Sequence, residues 1–320
     1  MIEVERLSKR YGAVSAIEDV DFRVETGEIL GFLGPNGAGK TTTMRILAGY
    51  IPATAGTARL EGIDVHEQSL AARQRLGYLP ENPPLYPDMT VESFLAFVAN
   101  LKGVPAGERR QRVDSALERC QLTDKRRTLI RKLSKGYKQR VGIAQAIVHD
   151  PPVIILDEPT VGLDPKQIIE VRRLIKSLAQ RHTIILSTHI LPEVSMTCDR
   201  VVIINQGRVV ATNTPENLLT ELGGQGGYVL EVSGDIEKLG AVTRAVPGLG
   251  LTQIKPVSSP QGPRRYGVTA QNLSHKELGA DLAQLLTSHG FQLWEMRRVR
   301  PTLEEAFLNL ITTEEPALGD

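Results

Sequence analysis

Three short stretches, residues 29–33, 153–156 and 183–186, are almost wholly apolar and too short to be helices. A run of this kind, without polar alternation, reads as a strand buried on both faces, as in a parallel sheet flanked by helices. From Met1 to about Leu219 such strands alternate with helical segments and glycine-rich turns. The texture changes at 223–227, a GGQGG run that reads as a linker. Beyond it the pattern predicts a strand over 228–232, a helix over 236–245, strands over 251–257 and 266–270, a helix over 276–288 and a strand over 292–296. That order, β-α-β-β-α-β, is the ferredoxin-like split arrangement. A closing amphipathic helix is predicted over 300–311, with Thr302 and Glu305 as a capping box and Leu303, Phe307 and Leu310 as its apolar stripe.

At 320 residues the chain exceeds what one core normally holds, so two domains are expected. Lys plus Arg is 38 against 37 Asp plus Glu, a net charge of +1, which carries no overall nucleic-acid footprint. Cys120 and Cys198 stand far apart and in no metal spacing, and read as free thiols of a reducing compartment. The N-terminus has acids among its first residues and no apolar segment of the signal-peptide kind. No run approaches the ~18 consecutive apolar residues of a spanning helix. A soluble, cytoplasmic protein is expected.

The chemistry sits at the strand ends. The first apolar strand leads into Gly34-Pro35-Asn36-Gly37-Ala38-Gly39-Lys40-Thr41, followed by Thr42 and a helix. Glycines let backbone N–H groups turn inward around phosphate oxygens, and the helix start aims its dipole at the same anion. In such a loop Lys40 reaches the β- and γ-phosphates and the Thr41 hydroxyl binds Mg²⁺. The second apolar strand ends in Asp157-Glu158. Successive side chains on a strand face opposite ways, so these two carboxylates take different jobs. Asp157 is placed to hold Mg²⁺, directly or through water, and Glu158 to polarise the water that attacks the γ-phosphate. The third strand ends in Ser187-Thr188-His189, where His189 is positioned to sense the γ-phosphate.

These segments together resemble the nucleotide-binding subunits of ABC transporters, over about residues 2–219. The resemblance implies an α/β P-loop NTPase cassette over 1–220, with a helical subdomain near 85–150; the pattern beyond the linker adds a small C-terminal α+β, ferredoxin-like domain over 227–312. It implies ATP and Mg²⁺ as ligands. Tyr11 matches the aromatic residue that stacks on adenine. Leu133-Ser134-Lys135-Gly136-Tyr137 stands where the family has LSGGQ, so Ser134 and Gly136 are expected at the γ-phosphate of the opposite subunit; Lys135 and Tyr137 depart from the pattern. Thr160 to Pro165 resembles the D-loop, whose Asp164 lies across the dimer interface. Glu81 occupies the place of the Q-loop glutamine and becomes a third candidate metal ligand with Thr41 and Asp157.

By the same resemblance two cassettes, most simply two copies of this chain, pair head to tail at the cytoplasmic face of the membrane and drive a separate integral permease. The C-terminal pattern is similar to exporter-type, ABC-2 ATP-binding subunits, gliding-motility-type proteins among them, and that domain is read as a dimer-stabilising or regulatory module or as a packing appendage. Two other classes are weighed. ABC ATPases acting on DNA or ribosomes carry coiled-coil insertions or two cassettes, whereas this chain has one phosphate loop, no heptad run before Ser134 and balanced charge. A nucleotide-gated scaffold with a vestigial ATPase is opposed by the intact Lys40, Asp157, Glu158 and His189.

Overall fold

In a computed structural model the chain divides into two compact units, Met1–Pro215 and Glu216–Asp320. The structure describes residues 1–179, 181–222, 227–244, 249–257, 265–272 and 279–299.

The first unit is built on a six-stranded sheet. Its strands are β3 (Ile29–Leu33), β6 (Leu76–Leu79), β7 (Val153–Asp157), β8 (Thr183–Thr188), β9 (Arg200–Asn205) and β10 (Arg208–Asn213), in the order β10-β9-β3-β8-β7-β6. All neighbours run parallel except the β9–β10 hairpin. Every residue of β3, β7 and β8 is buried, as their unbroken apolar runs require. Because β3, β7 and β8 are parallel neighbours, the segments that follow Leu33, Asp157 and Thr188 emerge at one edge of the sheet. That edge is where open α/β sheets bind ligands.

A second, antiparallel sheet has the order β2-β1-β4-β5, from β1 (Ile2–Tyr11), β2 (Val14–Val24), β4 (Ala55–Leu60) and β5 (Ile63–Asp64). One hydrophobic cluster joins the two sheets, with Ile2, Leu7 and Leu60 from the second and Phe32, Ile155 and Ile185 from the first. Helix α1 (Lys40–Leu47) belongs to the same cluster through Met44, Ile46 and Leu47, and α2 (Ser69–Gln74) through Ala72. Three further helices, α3 (Val91–Leu101), α4 (Arg109–Arg119) and α5 (Lys135–Ile147), pack on one another between β6 and β7. Thr90 caps α3 by accepting the Ser93 N–H at 3.2 Å. Helices α6 (Pro165–Ala179) and α7 (Leu191–Thr197) follow β7 and β8, and α8 (Pro215–Leu222) begins at the unit boundary.

In the second unit the elements are β11 (Gly227–Ser233), α9 (Ile236–Arg244), β12 (Leu249–Val257), β13 (Arg265–Asn272), α10 (Gly279–Ser288) and β14 (Gln292–Val299). The sheet is wholly antiparallel in the order β12-β13-β11-β14, the ferredoxin-like order with first and third strands central. Leu239 and Val242 of α9 and Leu282 and Leu286 of α10 close its core over Tyr228, Leu230, Val232 and Val268. The predicted strands come out two or three residues longer, since ladder hydrogen bonds extend past the apolar positions that mark a strand in sequence. The predicted closing helix, with Thr302 and Glu305, lies outside the described residues, as does most of the GGQGG linker.

Candidate functional site

At the C-terminal edge of the parallel sheet a cleft of about 470 Å³ is lined by Ala16, Asn36, Gly37, Gly39, Lys40, Thr41, Thr42, Glu81, Glu158, Val161 and His189. The loop between β3 and α1 forms one wall. Gly39 caps α1 at φ +105°, in the left-handed region, and a side chain there would collide with Ile17 and the Ala16 carbonyl. Only glycine fits both conditions. The loop closes on itself through the Ala38 N–H to the Pro35 carbonyl, 3.2 Å, and is pinned to the β9–β10 hairpin by the Gly207 N–H to the Ala38 carbonyl, 3.0 Å. Lys40 is buried, and its ammonium donates to the carbonyls of Gly34 (2.8 Å) and Pro35 (3.1 Å).

The end of β7 supplies the opposite wall. Glu158 stands at φ +50°, an unfavourable region for a residue with a side chain, and its backbone N–H is held by the Ser187 carbonyl at 2.9 Å. This turn sends its carboxylate into the cleft, 2.9 Å from His189 Nδ1 and 3.6 Å from Lys40 Nζ. Asp157 is fully buried and is not part of the cleft lining, and neither carboxylate oxygen has a hydrogen-bond partner. Burial pushes its pKa up, the charges of Glu158 and Glu81 push the same way, and the hydroxyls of Ser187 and Thr41 oppose them. A buried carboxylate left without partners beside a threonine hydroxyl and a second carboxylate is a donor set suited to a hard divalent cation, and Mg²⁺ fits it.

Other expected site residues fall elsewhere. Tyr11 ends β1, half exposed, with Lys9 Nζ 5.2 Å above its ring, and it does not line the cleft. Ser134 caps α5 by accepting the Tyr137 N–H, so Ser134 and Gly136 frame a helix start that is also outside the cleft. The Lys135 side chain lies across Gly162, filling the space a side chain at 162 would need. Asp164 caps α6 by accepting the Gln167 N–H at 2.9 Å and is exposed. Within one chain, therefore, Asn36, Gly37, Gly39, Lys40, Thr41, Thr42, Glu81, Glu158 and His189 converge on the cleft; Gly34, Pro35, Ala38 and Asp157 belong to the same loop and strand end without lining it, and Tyr11, Ser134, Gly136 and Asp164 fall elsewhere.

Two contributors escape a reading of the sequence. Glu193, on α7, is buried and accepts hydrogen bonds from Thr188 (3.0 Å) and Thr160, tying the segments after β7 and β8 together. Its place in the first turn of a short helix gives it the look of an ordinary helix-start acid. Ser187 faces Asp157 and carries the carbonyl that holds Glu158, which its position beside His189 could have suggested.

A second cleft, about 400 Å³, lies between α1 and the helices that follow β6, lined by Tyr50, Arg73, Tyr78, Pro80, Pro84, Lys102 and Gln145 among others. Burial pulls the Lys102 pKa down to about 8, and its ammonium donates to the carbonyls of Arg73 and Leu76, both at 2.9 Å. Nearby, the buried Tyr78 hydroxyl has no hydrogen-bond partner.

Comparison with known proteins gives one consistent answer. The family model described as "ABC transporter" matches residues 17–161. The linearmycin resistance ATP-binding protein of Bacillus subtilis is 32% identical over 97% of this chain and 98% of its own length. The daunorubicin resistance ATP-binding protein of Streptomyces coeruleorubidus is 34% identical over 97% and 95%. Among solved structures, an ATP-binding subunit of an ABC transporter superposes with a TM-score of 0.64 at 34% identity, covering 70% of this chain and 93% of its own. A bacterial ABC transporter cassette solved as a dimer superposes at 0.62 and 25%, covering 67% and 99%.

Proposed function

Since this chain belongs to the ABC transporter family as an ATP-binding and ATP-hydrolysing subunit, which dimerises and works with a membrane permease, we propose that it is the motor of an ABC-2 type exporter. The two relatives described above, which align along nearly the whole chain, are named as linearmycin and daunorubicin resistance ATP-binding proteins, which supports export as the direction. The partner is then a separate ABC-2 type permease, and the protein sits at the cytoplasmic face of the membrane through it. No helix among the described residues is long and apolar enough to cross a membrane.

The loop from Gly34 to Thr42 wraps the phosphates, with Lys40 leaving the carbonyls of Gly34 and Pro35 for the β- and γ-oxygens. Thr41, Asp157 and Glu81 are the residues that would hold Mg²⁺, which would supply charge neutralisation at the phosphates. Glu158 orients and deprotonates the attacking water, and His189, hydrogen-bonded to that carboxylate, holds it in place and senses the γ-phosphate. Tyr11 stacks on the adenine. Ser134 and Gly136, at the start of a helix, and Asp164 act across the seam of a head-to-tail homodimer, which accounts for their lying outside the cleft of their own chain. Closing that seam completes each site, so ATP binding drives closure and hydrolysis reopens it. The cleft around Tyr78 and Lys102, beside the residues that follow Glu81, receives the permease segment. No nucleic acid is involved.

The observation that carries the reading is the convergence of Lys40, Glu158 and His189 on one cleft with the partnerless Asp157 behind them. ATP turnover by Glu158→Gln tests it. The expected result is a fall of about 10²- to 10⁴-fold with ATP binding retained. Turnover near the wild-type value removes Glu158 from the role of base.

A further inference from the structure

The second unit ends its sheet on a strand that is complementary to itself. Among the described residues β14 pairs with β11 on one side and with no strand on the other. An open edge of eight residues without proline offers a row of backbone N–H and C=O groups to any incoming strand. Edges that stay free are guarded by charged side chains, prolines or bulges. This edge has a bulge, where Trp294 is skipped between the pairs Glu231–Glu295 and Val232–Leu293; of its three charges, Glu295 and Arg297 share a face and are opposite in sign, while Arg298 lies on the other face. Glu295 stands directly opposite Glu231 in the ladder, on the same face as Arg297. Both Glu295 and Arg297 are exposed, and neither has an ion-pair partner among the described residues. Trp294 is 47% exposed beside them.

We propose that β14 pairs antiparallel with β14 of a second copy of this chain, about a two-fold axis through Met296, so that two four-stranded sheets become one of eight strands. Side chains directly opposite in an antiparallel pair share a face, and neighbours along a strand do not. A two-fold pairing of identical strands must therefore centre on a residue and never between two. Centred on Glu295 or on Arg297, the pairing sets that charge against its own copy. Centred on Met296, it sets each Glu295 opposite the partner's Arg297, twice, with the two Met296 residues facing each other on the axis. The occupant is thus identified by charge: a second β14, running in the opposite direction.

This inference goes beyond ATP-driven closure of the cassettes and is tested without nucleotide, so its failure leaves that reading standing, and the reverse. Sedimentation of the full chain over a concentration series is expected to show a reversible dimer in the absence of ATP. Arg297→Glu places acids against acids and weakens the dimer tenfold or more, while the double variant Glu295→Arg with Arg297→Glu restores it, with the charges exchanged. Met296→Cys forms an intermolecular disulfide under mild oxidation, because directly opposed residues lie within disulfide reach. The native Cys120 and Cys198 are buried, so the wild type gives no such product. A nucleotide-free chain that stays monomeric, a dimer indifferent to Arg297→Glu, or a Met296→Cys variant that does not cross-link overturns the proposal.

Discussion

The two units of this chain spend their charges in opposite ways. In the first, Lys40, Asp157, Glu158 and Glu193 lie buried near the C-terminal edge of the parallel sheet, Lys40 and Glu158 lining the cleft, Glu193 hydrogen-bonded to two threonines and Asp157 without a hydrogen-bond partner. In the second, Glu295 and Arg297 stand exposed on an edge strand, solvated and individually of little consequence. A buried charge costs free energy whenever its partner is missing, so its presence points to a ligand or to an internal network. An exposed charge costs almost nothing and gains meaning only from its pattern and from what docks on it. The first unit is therefore readable residue by residue, and the second only as an arrangement.

Asp157→Asn strains that contrast most. Turnover is expected to fall at least about 100-fold if Asp157 holds the cation as proposed. Thermal stability should hold or rise, because a buried carboxylate without partners is replaced by a neutral amide. The linkage points the same way: a pKa raised in the folded state means stability is lost as pH rises through the carboxylate range. Thermal melts of both proteins at neutral pH check it, and a strongly destabilised Asn variant contradicts it. Glu193→Ala is the converse case. It strands the hydroxyls of Thr160 and Thr188, and the expected loss is about 2 kcal/mol, read by denaturant unfolding.

His149 sharpens the comparison through pH. Burial pulls its pKa down to about 4, and the buried Nδ1 has no partner. The unfolded chain, with an ordinary histidine pKa of about 6.5, binds the proton first, so stability is complete above that value and drains away as pH falls toward 4. His149→Gln should flatten that part of the stability–pH curve. Arg297→Glu is expected to have the smallest effect of all. In the monomer its stability change stays within about 0.5 kcal/mol and its turnover is unaltered, as thermal melts and an ATPase assay would show.

How much could be read in advance follows the same division. Strands β3, β7 and β8 were legible because burial on both faces leaves an unbroken apolar run, and the residues at their ends mark where the cleft opens. The sheet β2-β1-β4-β5 was not. Register shifts between Val4 and Leu7 and again beyond Leu7 break the alternation along β1, and its pairing of Ile2 with Leu60 spans a distance no local pattern records. The element order of the second unit was legible, since its helices and strands change period clearly, but strand order comes from packing. Lys40, Glu158 and His189 announced themselves by motif, whereas Glu193 is distinguished from an ordinary helix-start acid only by its burial.

The central claim is that Lys40, Asp157, Glu158 and His189 form an ATP site completed by a second cassette, and its most direct test is size-exclusion chromatography of the Glu158→Gln variant with and without ATP. The account predicts that ATP shifts this variant to a stable dimer beyond any nucleotide-free association, and that wild type, able to hydrolyse, does not accumulate it. An elution profile of Glu158→Gln that ATP leaves unchanged, under conditions where ATP is bound, contradicts it.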